Sequence, residues 1–167
     1  VIAFFAWIEA TSLSIWVRES TSVLAFPAIL SAHAIGMGLA AGFNVMLALR
    51  LLGAATSIPL RELGRFVPVM WFGFWMNAAS GVLLLIGYPT KALTNPLFYL
   101  KLSLIGAGMC LFLMLRRRLF DSRSLNADER SASFRRLASA SIVCWLGAIT
   151  AGRLLAYTYT RLMADWP

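Results

Sequence analysis

Four long apolar segments, each nearly free of charge, dominate the chain and restrict what it can fold into. They run from about Ser22 to Leu49, Phe66 to Tyr88, Leu97 to Leu115 and Ala138 to Tyr159. Each is near the roughly 20 residues that cross a bilayer as a helix. Backbone groups in lipid have no water partners, so helices are the natural form. A soluble domain is about a quarter charged; of these 167 residues only 13% are charged and 60% are hydrophobic. The sequence therefore predicts an all-α integral membrane four-helix bundle, a single transmembrane domain over residues 1–167.

Ahead of the first span lies FFAWIEATSLSIWVRES, too short and too polar to cross. Its aromatic and charged residues suit an amphipathic helix over about 3–19 lying in the interface. Ser20, Thr21 and Ser22 are candidate caps for the span that follows. The opening VIAFFAWIEA lacks a basic n-region and a small-residue cleavage pattern, so it does not read as a signal peptide. It also lacks an initiator Met, which leaves the true start open. Cys110 and Cys144 lie in different spans with no CxxC pattern and read as small buried thiols rather than zinc ligands.

The net charge of +8 would suggest nucleic acid in a soluble chain. Its distribution favours a topological reading instead. Arg50, Arg61 and Arg65 follow the first span, and Arg116, Arg117, Arg118, Arg123, Arg130, Arg135 and Arg136 follow the third. Those ten lie on one side; Arg18, Lys91, Lys101, Arg153 and Arg161 lie on or toward the other. Positive-inside bias then places both termini on the periplasmic side of a bacterial inner membrane and the basic loop 116–137 in the cytoplasm. All four tyrosines, Tyr88, Tyr99, Tyr157 and Tyr159, fall at the outer ends, as an aromatic belt does. The expected partners are the bilayer, with anionic headgroups at the long basic loop, and other membrane subunits or a second copy of the chain. No nucleic-acid partner is expected.

Polar groups inside a membrane are costly and usually face a bundle interior or a ligand. Four stand out: His33, Asn77, Lys101 and Arg153. The topology places the three basic ones in the outer half, on three different helices, and no acidic residue is embedded among them. Two positive side chains without an embedded counter-ion want an anion, and one imidazole wants a hydrogen-bond partner or a metal. A b-type haem meets both needs, with His33 on the iron and Lys101 and Arg153 toward the propionates. Gly36, one turn from His33, would let a flat macrocycle approach the backbone, and Asn77 would line the pocket. With no second histidine, Met76, Lys101, a partner chain's ligand or a five-coordinate iron are the choices for the opposite face.

Blander readings use the same residues. Ala34, Gly38 and Gly42 form a small-xxx-small face that packs helices without a cofactor. Lys101 and Arg153 could snorkel to headgroups, and His33 could be a hydrogen-bonded core histidine. Met70, Trp71, Trp75 and Met76 read as soft packing. Copper transfer by His33 and the methionines is a further use, without a repeated Met motif to support it. No embedded carboxylate exists for a hydrolase or a carboxylate proton relay.

Several stretches resemble an uncharacterised family of four-span bacterial membrane proteins. They are WIE…S…VREST, AHAIGMGLAAG and LALRLLG between Trp7 and Gly53, GFWMNAASGVLLL in the second span and NPLFYLKLSLIGAG at the third. More distantly, His33, Ala41–Gly42, Arg50–Leu51 and Lys101–Leu102 are similar to the HemJ-type protoporphyrinogen oxidases. That resemblance implies a four-span protein holding haem b through a span-one histidine, with an important span-three lysine. The region of His33 also has a look of the copper-resistance protein CopD. The further histidines of the oxidases are absent here, so the likeness carries haem binding further than oxidase activity. The expected function is a haem b-binding protein of membrane electron transfer within a larger redox complex. The alternatives are a cofactor-free accessory or structural subunit of a respiratory or photosynthetic complex, and a protoporphyrinogen oxidase-like enzyme.

Overall fold

The computed structural model describes residues 2–54, 56–120 and 132–162. All regular structure among them is helical: α1 (Ile2–Glu9), α2 (Ser12–Glu19), α3 (Phe26–Leu51), α4 (Leu60–Leu63), a 3-10 turn (Gly64–Phe66), α5 (Val67–Gly87), α6 (Pro89–Leu93), α7 (Pro96–Phe120) and α8 (Ala132–Leu162). Four helical stretches are long and apolar enough to cross a membrane: α3, the continuous Leu60–Gly87, α7 and α8. The expected class of fold, a membrane four-helix bundle, is the one found.

Local chemistry sets the ends of these helices. Pro27 and Pro68 occupy the first turns of α3 and α5, where a missing N–H leaves no helix bond unmade. Asn95 starts α7: its Oδ1 accepts from Leu97 N at 3.0 Å, while its Nδ2 donates to Thr158 Oγ1 on α8 at 2.9 Å. At the end of α3, Gly53 has φ 104°. Its N–H reaches Arg50 O at 3.2 Å and Ala54 N reaches Leu49 O at 2.9 Å, the paired reverse bonds that close a helix on a left-handed glycine.

Several expected boundaries move. The interfacial segment is two helices, because Thr11 interrupts it: Thr11 Oγ1 bonds Ile8 O at 2.7 Å and accepts from Ser14 N at 3.4 Å, capping α2. Ser20 and Ser22 do not cap the first span; their hydroxyls accept from Ser22 N and Leu24 N within the preceding turn, and α3 starts only at Phe26. Helices α7 and α8 run beyond the expected apolar spans. Arg116, Arg117 and Arg118 continue α7, and Arg135 and Arg136 lie on α8, so only 121–131 of the expected basic loop separates them, outside the described residues. Cys110 is exposed rather than buried.

Packing is closest between α3 and α5 and between α7 and α8, with α3 also against α8. The α3–α5 contact is made backbone to backbone. A Cβ on Gly36 would stand 2.6 Å from Asn77 N and 2.7 Å from Gly73 O; one on Gly73 would stand 2.5 Å from Leu39 Cβ and 3.0 Å from Gly36 O. The small face that packs is therefore Gly36 and Ala40, both buried. Ala34, Gly38 and Gly42 are exposed, and nothing lies within 4 Å of a Cβ on Gly38 or Gly42. Between tails as apolar as leucine, such close approach is what holds helices together.

The large apolar core fills the half of the bundle nearer the arginines. It includes Phe43, Leu47, Met70, Phe112, Leu115, Phe134 and Trp145. Phe112 of α7 meets Phe43 of α3 and Trp71 of α5 edge-on, at 6.0 and 6.4 Å between centroids. At the opposite end α2 seats on the end of α5. Val17, fully buried, lies over Gly87, and Ser14 Oγ donates to Gly87 O at 3.4 Å. Glu9 Oε1 accepts from Thr90 N at 3.3 Å, fixing α1 to α6.

Gly36→Ala is expected to cost about 1–3 kcal/mol of stability by overpacking, whereas Gly38→Ala should be neutral or stabilise by up to about 1 kcal/mol. Thermal melts of the two variants in detergent, followed by circular dichroism, check the pair. Equal loss at both positions would refute the assigned contact face.

Candidate functional site

One layer of the bundle brings polar groups from three helices together and a glycine from the fourth. His33 projects from α3, Asn77 and Ser80 from α5 and Lys101 from α7. The α5 residues share a face through helical spacing: Gly73, Asn77, Ser80 and Gly81 follow one another at three, four or one residues. Because Gly36 and Gly73 let the two backbones touch, His33 is drawn against Asn77. Gly81 makes room for the ring, since a Cβ there would stand 3.2 Å from His33 Cε1. Gly152 of α8 lies along the Lys101 stem: a Cβ there would stand 3.5 Å from Cε.

The hydrogen bonds assign the imidazole tautomer. Nδ1 lies 3.1 Å from Asn77 O and 3.2 Å from Ser80 Oγ. The first is a backbone carbonyl and only accepts; Asn77 Nδ2, a donor, also lies 3.3 Å from Nδ1, but a lysine ammonium at Nε2 requires the lone pair there, which puts the proton on Nδ1. Ser80 Oγ in turn donates to Met76 O at 2.6 Å. Asn77 Nδ2 donates to the backbone carbonyl of His33 at 2.8 Å, locking the two helices a second time. Nε2 then presents its lone pair, and Lys101 Nζ donates to it at 3.1 Å. An imidazolium opposite an ammonium would have no acceptor between them, so the pair holds at most one positive charge in this geometry.

Of the residues the sequence singles out, His33, Asn77 and Lys101 meet. Gly36 serves otherwise: the space of its missing side chain is taken by the α5 backbone, leaving no room there for a planar macrocycle. Met76 enters the cluster through its carbonyl. Arg153 is exposed, next in sequence to Gly152, and takes no part in these hydrogen bonds. Ser80, Gly81 and Gly152 are members the sequence reading missed. The first two were legible as the next residues on the Asn77 face; Gly152 was not, because only the packing of α7 on α8 puts it beside Lys101.

The arrangement can hold a ligand at one nitrogen. An imidazole whose Nδ1–H is fixed on a backbone carbonyl is oriented as metal-bound imidazoles are, with Nε2 free to ligate. No group of three or more His, Cys, Asp or Glu side chains gathers among the described residues, so a metal held by protein ligands alone has no cage here. A planar cofactor that brings its own donors remains chemically compatible, provided Lys101 withdraws from Nε2. No family model matches the chain, and neither a curated protein nor a solved structure matches it.

The His33–Lys101 bond should show as coupling. In a cycle of His33→Phe, Lys101→Met and the double variant, unfolding in micelles should give an interaction energy of about 0.5–2 kcal/mol. Strict additivity would mean that the two side chains do not meet.

Proposed function

We propose that this multi-pass membrane protein binds a b-type haem through His33 Nε2 and serves membrane electron transfer as part of a larger redox assembly. The observation that carries the reading is the tautomer lock: Nδ1–H on the Asn77 carbonyl leaves Nε2, the usual iron-binding nitrogen, aimed between α3 and α7. The haem would supply one-electron chemistry. His33 would hold it, Ser80 and the Asn77 carbonyl would keep the ring from turning, and Lys101, released from Nε2, would place its ammonium by a propionate. Arg153, exposed on α8, drops out of the site. The excess of arginine at the α3–α5 and α7–α8 connections supports an inner-membrane protein with both termini on the periplasmic side, which puts His33 in the outer leaflet.

A second reading rests on its own observation. The cluster is closed without a ligand, since Lys101 already occupies the Nε2 lone pair. On that reading the cluster is a polar clamp in a cofactor-free accessory subunit. A reduced-minus-oxidised spectrum of protein purified from native membranes separates the two. Haem binding predicts an α-band that His33→Ala abolishes; a colourless, folded protein after expression with haem supply would sink it and favour the clamp.

A further inference from the structure

A separate feature lies at the other end of the bundle, and it does not depend on the haem reading. The outward face of α3 carries a groove of about 310 Å³ between its last turns and the connection to α5. That is at the low end of the roughly 300–1,000 Å³ typical of small-ligand sites. Its walls are Val45, Met46 and Leu49 of α3, with Ile58 and Leu63 opposite. Gly42 forms its inner end, where a Cβ would meet no atom within 4 Å. Arg50 closes the outer end and is the one charged residue lining it. From Gly42 to Arg50 is eight residues, about 12 Å of helix, so the groove runs from the bilayer interior toward its surface.

Arg50 is held in place by the loop it faces. Nε donates to Ile58 O at 2.6 Å and one Nη donates to Thr56 O at 3.3 Å. A guanidinium has five N–H donors, so three remain. Among the described residues no carboxylate competes for them: the acid at this end is Glu62, which pairs with Arg65 at 2.9 Å. Arg61, Arg116, Arg117 and Arg118 stand at the same end. A second copy of the chain docked here about a twofold axis would set this cationic rim against itself. A molecule with an apolar chain and an anionic head at one end matches both the wall and the rim.

We infer that this groove is a binding site for an anionic phospholipid, one acyl chain lying along Val45, Met46 and Leu49 to Gly42 and the phosphate on the free donors of Arg50. The purified full chain in detergent, titrated with phosphatidylglycerol or with phosphatidylcholine of the same acyl chains and read by native mass spectrometry, tests it. One phosphatidylglycerol should be retained about fivefold more tightly than phosphatidylcholine, the scale of one basic residue at a membrane surface. Arg50→Gln should remove that preference, and Arg117→Gln, outside the groove, should preserve it. Because Arg50 also ties down its loop, Gly42→Leu provides the second arm: by filling the inner end it should weaken retention of both lipids while leaving Arg50 in place. Equal retention of the two lipids by the unaltered chain overturns the assignment. So does unchanged phosphatidylglycerol binding in Gly42→Leu. Displacement of the lipid by millimolar inorganic phosphate would mark a free-anion site, and a dimer that Gly42→Leu dissolves would mark a protein contact; either result rejects the lipid.

Discussion

Helices α3 and α5 touch backbone to backbone at Gly36 and Gly73, and the polar layer exists because they do. Three residues before Gly36 stands His33; four after Gly73 stands Asn77. With the axes this close, the amide of Asn77 reaches the His33 carbonyl and the ring reaches the Asn77 carbonyl. A methyl group at either glycine would push the helices apart and stretch both bonds together. In lipid this matters more than in water, because no solvent is present to take over a broken hydrogen bond.

The second constraint is electrostatic. No carboxylate lies within α3, α5, α7 or α8, yet Lys101 is turned inward onto His33. A snorkelling lysine would have stretched its stem toward the headgroups. This one lies instead along Gly152, with an imidazole lone pair as its acceptor. The preference for an internal acceptor over water distinguishes Lys101 from Arg153, which is exposed on α8. It also makes the pair responsive to any ligand that competes for Nε2, since such a ligand frees a cation next to itself.

How much of this the sequence could reveal follows from where its signals lie. Hydropathy marks four spans because lipid and core both demand apolar residues, and connectivity then fixes which ends lie together. Counting along those spans puts His33, Lys101 and Arg153 in one outer layer and Asn77 near mid-span, so the comparable depths of His33 and Lys101 were legible. Rotation about the helix axis is another matter. On α3 the lipid face and the core face are both apolar, so pattern alone could not choose between Ala34–Gly38–Gly42 and the column two residues on, Gly36–Ala40, that makes the contact. The same ambiguity hid Gly152 and misassigned Gly36. Helix ends are a separate matter where charge and helix coexist: arginines extend α7 and α8 beyond their apolar runs, since long cationic side chains are tolerated at the polar boundary.

The two halves of the bundle differ in kind. Toward the arginines, phenylalanines, leucines and Trp145 fill the interior. The groove beside Arg50 lies on the outer surface at that end. Toward the tyrosines, the interior at the level of His33 is lined by Ser80, Gly81, Lys101 and Gly152, small or polar groups. The polar layer is positioned by its own close approach, that of Gly36 to the α5 backbone. Were a ligand to take Nε2, Lys101 is the group that would have to move, since it holds that nitrogen.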